Sequence, residues 1–343
     1  MLEEFGRNTD GDTVYRARLK NSNGMIVDIL NYGATIQKIL VPSETRGHVD
    51  VCLGYDDMNG YLSPSNPYMG ACIGRVCNRI CGGKFILGGH SFFLHQNEQN
   101  NSLHGGQKGF DKHLWEMVQV LESRVHLSHS SPHGDEGYPA RVNVKASIEL
   151  TDLNELIIQY SALSDRDTPL NLTNHAYFNL GGEDSGEKGL FEHDVAIFAE
   201  EYTPVNEQTK IPTGVIQSVG ETLFDLRKEL NLSKVLHQSD SLYDHNFVLG
   251  SEDLKLAARV MHHPSGRGLE CWTNQLGLQF YTGNHLGNAP TLQGKSGKPY
   301  ENYGGFCLEA QNYPDAVNQR NFPSCILGAN DKYENRTIYK FIF

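Results

Sequence analysis

Two side chains in this chain have the proton chemistry of an acid–base pair, and each sits in a run that would display it. The first is His175, within Leu170-Asn171-Leu172-Thr173-Asn174-His175-Ala176-Tyr177-Phe178-Asn179-Leu180. At period two, Asn171, Thr173, His175, Tyr177 and Asn179 share one face, while Leu172, Ala176, Phe178 and Leu180 share the other. Asn174 is the polar exception. Solvent-facing strands usually carry long charged side chains, and this face has none. It is either a wall turned toward a small polar ligand or a sheet face hydrogen-bonded within the protein. The second is Glu309, in Phe306-Cys307-Leu308-Glu309-Ala310-Gln311. Phe306, Leu308 and Ala310 fall on one side, with Glu309 opposite. A carboxylate in so uncharged a run is either buried with a partner or catalytic.

Other polar residues stand out less. Asn78-Arg79 interrupts an apolar run, where an arginine needs a carboxylate or a ligand. His104 precedes Gly105-Gly106, which favours a backbone turn near a site. Asp244 fits a cap or turn as well as a site. Gln279 and Tyr281 share a strand face, for which packing is the simpler explanation. The chain lacks a His-Glu-x-x-His helix, a Walker loop, a dinucleotide-binding glycine motif and a nucleophile elbow. His262 and His263 are adjacent, so on a strand they point to opposite faces and chelate poorly. Cys72, Cys77 and Cys81 do not match an iron–sulfur spacing.

The elements that must position these groups are strands. Short alternating runs recur at roughly ten-residue intervals, with Gly, Pro and Asn between them, and helical periodicity never persists. The clearest runs are Val125 to Ser130, Ala140 to Leu150 and Glu155 to Leu163. Asp244 to Leu249 and Leu254 to His262 look like a pair, Pro42 closes the run from Ala34, and Thr222 to Leu230 has room for a short helix. The pattern predicts an all-β antiparallel sandwich, with residues 1–343 as a single domain. The formal net charge of −12 argues against a nucleic-acid partner. No apolar run is long enough to span a membrane, and the acidic start is no signal peptide. Seven cysteines without a disulfide framework point to reduced thiols and a cytoplasmic location.

Jointly, the polar residues carry a resemblance. Gly74-Arg75-Val76-Cys77-Asn78-Arg79-Ile80, Asn101-Ser102-Leu103-His104-Gly105-Gly106 and Gly109-Phe110-Asp111-Lys112-His113-Leu114-Trp115 occur in order. Thr173 to Leu180, Asp244-His245-Asn246-Phe247 and Leu308-Glu309-Ala310-Gln311 follow. Together they resemble the aldose 1-epimerase (galactose mutarotase) family from about Asn31 to Phe343. The resemblance implies a large twisted antiparallel β-sandwich that interconverts α and β anomers of free aldohexoses such as galactose and glucose. It implies His175 as general acid and Glu309 as general base. Arg79, His104, Asp244 and Gln279 would contact sugar hydroxyls, with Asn78 and Tyr177 supporting.

These residue types suit the chemistry. Anomer exchange needs the O1 proton removed and the ring oxygen O5 protonated, and it needs no electrons, phosphate or metal. No cofactor is therefore expected, and the partner is one small aldose bound by a monomer or weak homodimer. An imidazole acting as acid near neutral pH is helped by a nearby carboxylate, so Asp244 or Glu309 is expected within about 6 Å of His175. Three rival readings stand beside this one. A hexose-6-phosphate epimerase would need more basic residues at the cleft mouth. A non-catalytic sugar binder would share the fold. A retaining glycosidase would hold Glu309 and Asp244 about 5–5.5 Å apart.

Overall fold

The alternating runs are strands in a computed structural model of the chain, which describes residues 2–44, 46–236, 243–290 and 292–343. The meander of Arg124–Ser131, Val142–Leu150 and Glu155–Ser164 shows why. Val142, Val144, Ala146 and Ile148 are buried, while Asn143 and Lys145 between them are exposed. Ile148 stands opposite Ile158, so both strands turn their apolar face the same way. Among the described residues this meander belongs to a nine-stranded antiparallel sheet. A six-stranded sheet contains Tyr177–Phe178, Phe306–Gln311, Gly277–Tyr281 and Asp244–Val248 as neighbours in that order. A five-stranded sheet is built from the first fifty residues.

One core joins all three sheets. Ile29 and Ile36 come from the N-terminal sheet, Val144, Ile158 and Tyr339 from the nine-stranded sheet, and Phe247, Phe280 and Leu308 from the six-stranded sheet. Burying each such side chain contributes about 1.5–3 kcal/mol, which fixes which face of each strand turns inward. Polar bonds pin the layers together. The Tyr339 hydroxyl donates to the Leu308 carbonyl at 2.6 Å, and the Asn335 amide donates to the carbonyls of Leu172 at 2.7 Å and Ala310 at 3.3 Å.

Four local expectations need correction. The run from Leu170 to Leu180 is several short pieces rather than one strand. Thr173–Asn174 pairs with Cys72–Ile73, Tyr177–Phe178 pairs with Phe306 and Cys307, and His175 falls at the break. Asp244–Val248 and Lys255–His262 do not pair. They lie in different sheets, so that Phe247 and Val260 enter the same core from opposite sides. Residues 222–229 contain no helix, and a short helix instead covers Leu232–Leu236. Pro42 does not end its strand, which runs from Thr35 to Ser43 with Pro42 opposite His48.

His193 marks the end of the central stretch. It is fully buried, its Nε2 accepts from the Leu180 N–H at 3.0 Å, and its Nδ1 donates to the Leu190 carbonyl at 3.1 Å. Both bonds require the neutral ring, and burial pushes its pKa down to about 3. The unfolded histidine titrates near 6.5, so below that pH the unfolded chain gains a proton that the native state refuses. This group therefore destabilises the fold as pH falls from about 6.5 toward 3. His193→Gln should be less stable than wild type at pH 7, with the gap narrowing at about pH 4.5. Urea midpoints at the two pH values test this, and a constant gap refutes it. Asn335→Ala, which leaves two buried carbonyls short of a donor, should cost about 2–3 kcal/mol in the same assay.

Candidate active site

The six-stranded sheet turns one face to the core and the other to a cleft. Leu278, Phe280, Phe306, Leu308 and Ala310 take the core side. Glu309 and Tyr281 take the cleft side, together with Asp244. Register sets their spacing, since Gln279 stands opposite Glu309 and Asp244 opposite Tyr281. The cleft holds about 150 Å3 and is lined by His175, Glu309, Asn78, Arg79, His104, Tyr177 and Asp244, with Pro67, Tyr68, Tyr281 and His285.

His175 reaches it because the strand breaks there. Its N–H donates to the Ala71 carbonyl and its own carbonyl accepts from the Gly70 N–H, both at 2.9 Å. Asn174, the polar residue on the apolar face, holds the break. Its Oδ1 accepts from the Ala176 N–H at 3.0 Å and its amide donates to the Gly70 carbonyl at 2.9 Å. Asn171 and Asn179 do not face the cleft. Asn171 brackets the backbone of Asn312, and Asn179 donates to the carbonyls of Gly186 and Gly304. Of the five polar residues on that sequence face, His175 and Tyr177 line the cleft.

His175 Nε2 lies 3.8 Å from Glu309 Oε2, inside the expected 6 Å. His175 Nδ1 lies 3.5 Å from Cys307 Sγ. Both partners are almost fully buried, and Glu309 Oε2 has no hydrogen-bond partner among the described residues. An unmatched carboxylate oxygen in a cleft is a vacancy for a donor such as a hydroxyl. Burial raises the Glu309 pKa well above the ordinary carboxylate value, with Asp244 adding to the effect. Burial also pushes His175 down to about 4, overriding the charge of Asp244. The carboxylate is thus where it was expected, yet burial outweighs the nearby negative charge and favours the neutral imidazole.

The far wall is strained. Asn78 and His104 have positive φ of 59° and 52°, a conformation costing on the order of 1–3 kcal/mol in such residues. They hold each other there. The His104 N–H donates to the Asn78 carbonyl at 3.0 Å, and the Asn78 N–H donates to His104 Nδ1 at 3.2 Å. That bond leaves the second ring nitrogen as the proton carrier, so neutral His104 is a hydrogen-bond donor. Burial keeps its pKa well below the usual value. Gly105, at φ 92°, follows because any Cβ there would sit 2.0 Å from the Gly74 carbonyl oxygen.

Arg79 does find its carboxylate. It forms a fork with Glu98, both bonds at 2.7 Å, and its Nη1 lies 3.9 Å from Asp244. Gln279 is placed differently from the other sequence candidates. It is buried, stands opposite Glu309 on the neighbouring strand, and donates to Asp244 Oδ1 at 2.7 Å. Glu98, Tyr68 and His285 went unrecognised in the sequence. The need of Arg79 for a partner signalled some carboxylate, but nothing in the spacing named Glu98.

Known proteins resemble this chain along nearly its whole length. The aldose 1-epimerase family profile matches residues 15–340. The chain belongs to the aldose 1-epimerase family. It is 47% identical over 334 residues to a galactose mutarotase of Rattus norvegicus, covering 96% of this chain and 95% of that one. It is 34% identical over 342 residues to an aldose 1-epimerase of Escherichia coli strain K12, covering 97% and 96%. A solved aldose epimerase homologue from C. elegans superposes with a TM-score of 0.86 at 28% identity, over 95% of this chain and 98% of that one. The twisted antiparallel sandwich expected from the resemblance is therefore the family fold.

The Glu98 fork generates a test. A charge-assisted fork contributes about 1.5–3 kcal/mol, so Glu98→Ala should free Arg79 and raise KM about tenfold, with kcat changed less. Steady-state polarimetry measures both constants, and an unchanged KM would contradict the assignment.

Proposed function

We propose that this chain is an aldose 1-epimerase that interconverts the α and β anomers of free aldohexoses such as galactose and glucose. The observation that carries this reading is the buried pair of His175 and Glu309, 3.8 Å apart in a cleft walled by hydrogen-bonding side chains. In the bound state the imidazolium of His175 gives its proton to O5 while Glu309 takes the proton from O1. The C1–O5 bond breaks and an open aldehyde results. The pair is left as neutral His175 and protonated Glu309, the forms toward which burial shifts each group. The surroundings thus stabilise the intermediate, in which the aldehyde turns about C1–C2. Reversing both transfers closes the ring on its other face.

The remaining side chains fit around that chemistry. Arg79, Asn78, neutral His104 and Asp244 offer donors and acceptors to hydroxyls, and Tyr177 with Tyr68 offers apolar faces. Gln279 acts on the sugar through Asp244, whose orientation it fixes. Unphosphorylated sugars are favoured over hexose 6-phosphates because Arg79, the arginine lining the cleft among the described residues, has its fork spent on Glu98. Asp244 Oδ1 accepts from Gln279 and Oδ2 faces Arg79, which supports a positioning role over that of a glycosidase nucleophile. A continuous core from Ala17 to Phe341 supports a single domain. All seven cysteines are free, six of them buried, which supports a reducing, cytoplasmic setting.

Polarimetry of freshly dissolved α-galactose and α-glucose tests the activity. Glu309→Gln and His175→Asn should each lower kcat by about 10²–10⁴-fold, the share of one positioned acid or base. Full turnover by Glu309→Gln would reduce the protein to a sugar binder by this mechanism.

A further inference from the structure

Outside the cleft, His113, His129 and Asp135 each place one potential ligand atom within 4.8 Å of the other two. They come from three places. His113 follows the 3₁₀ turn Phe110–Lys112, His129 lies on the strand Arg124–Ser131, and Asp135 opens the turn Asp135–Gly137. All three residues are half-buried. We propose that this cluster is a binding site for a divalent first-row transition ion such as Zn2+, separate from the sugar cleft. Two imidazoles and one carboxylate are a donor set that such ions favour, with water completing the shell.

The surrounding bonds already prepare the three groups. His113 Nε2 lies 3.1 Å from the Lys108 carbonyl, which can only accept, so that nitrogen carries the proton. The lone pair of Nδ1 is left free, and a ring N–H given to a carbonyl is the usual outer support of a metal-binding histidine. His129 Nε2 is buried without a hydrogen-bond partner among the described residues. Its ring is packed against Phe110 and Trp115 at 4.9 and 5.4 Å and against His113 at 4.7 Å. Asp135 Oδ2 accepts from the Ser131 hydroxyl at 2.5 Å, which orients the carboxylate.

Arg75 is the nearby opposing charge. Its guanidinium is committed to Ser131 and to the carbonyls of Pro132, Pro139 and Ala140. Tetrahedral zinc with bonds near 2.0–2.2 Å needs ligand atoms about 3.4 Å apart, so the cluster must tighten by roughly 1 Å. Asp135 sits in a turn that can supply that movement. The same turn carries Glu136, whose carboxylate accepts from the N–H groups of Gln107 and Lys108. An ion here would therefore brace the segment that follows His104.

The test uses the untagged full-length chain, stripped with chelator and titrated with Zn2+ by calorimetry, with Co2+ absorbance reporting the ligand set. One ion per chain should bind at micromolar concentration and raise Tm. Asp135→Asn, His113→Ala and His129→Ala should each weaken binding tenfold or more and lose the Tm rise, while anomerisation activity confirms that each variant is folded. His263→Ala, which removes an imidazole paired with Asp194 elsewhere, should bind like wild type. No binding by the wild-type chain overturns the proposal. So does unchanged binding by the three cluster variants, or equal loss in His263→Ala.

Discussion

The site depends on two ionisable groups being buried within 3.8 Å of each other with one oxygen left unmatched. Each alone would neutralise, since isolated charge in a protein interior is costly. Together they are two neighbouring groups, each able to take up or release a proton. That is the requirement for a reaction that takes a proton from one oxygen of a sugar and gives one to another. Solvating either group with water would relax both pKa values and remove this tension, so the cleft has to be narrow and nearly dry. The sandwich serves that end by packing one face of the six-stranded sheet on the core, while Tyr68, Asn78 and His104 wall the cleft on its other face.

Much of the wall is held at a cost that the core offsets. Tyr68, Asn78 and His104 all line the cleft with positive φ. The two mutual bonds between Asn78 and His104 replace the regular strand bonds that these residues forgo. Arg79 is likewise oriented by Glu98 before any sugar arrives. Donors and acceptors fixed in advance lose little freedom on binding, which is the physical advantage of a rigid cleft over a flexible one.

Alternation of side chains was legible wherever one face packs on the core and the other meets solvent, as in Val142–Leu150 and Glu155–Ser164. It misled where both faces are covered. Leu170 to Leu180 is buried throughout, so its polar residues answer to backbone groups of neighbouring loops as often as to the cleft. The same coverage hid the change of sheet between Val248 and Lys255, because both strands present apolar residues to one core.

The sequence by itself determined the strand-rich class, the likeness to aldose 1-epimerases and the placement of His175 with Tyr177 on one side and Glu309 opposite Leu308 and Ala310. Those follow from local spacing and residue type. Only the tertiary structure decided that Glu98 belongs to Arg79, that Gln279 donates to Asp244, and that His113, His129 and Asp135 meet. Each of these joins segments distant in the chain, and no local periodicity encodes which distant partner a side chain will find. The direction in which each group's pKa moves was also decided there, because burial sets it and burial is a property of the folded chain.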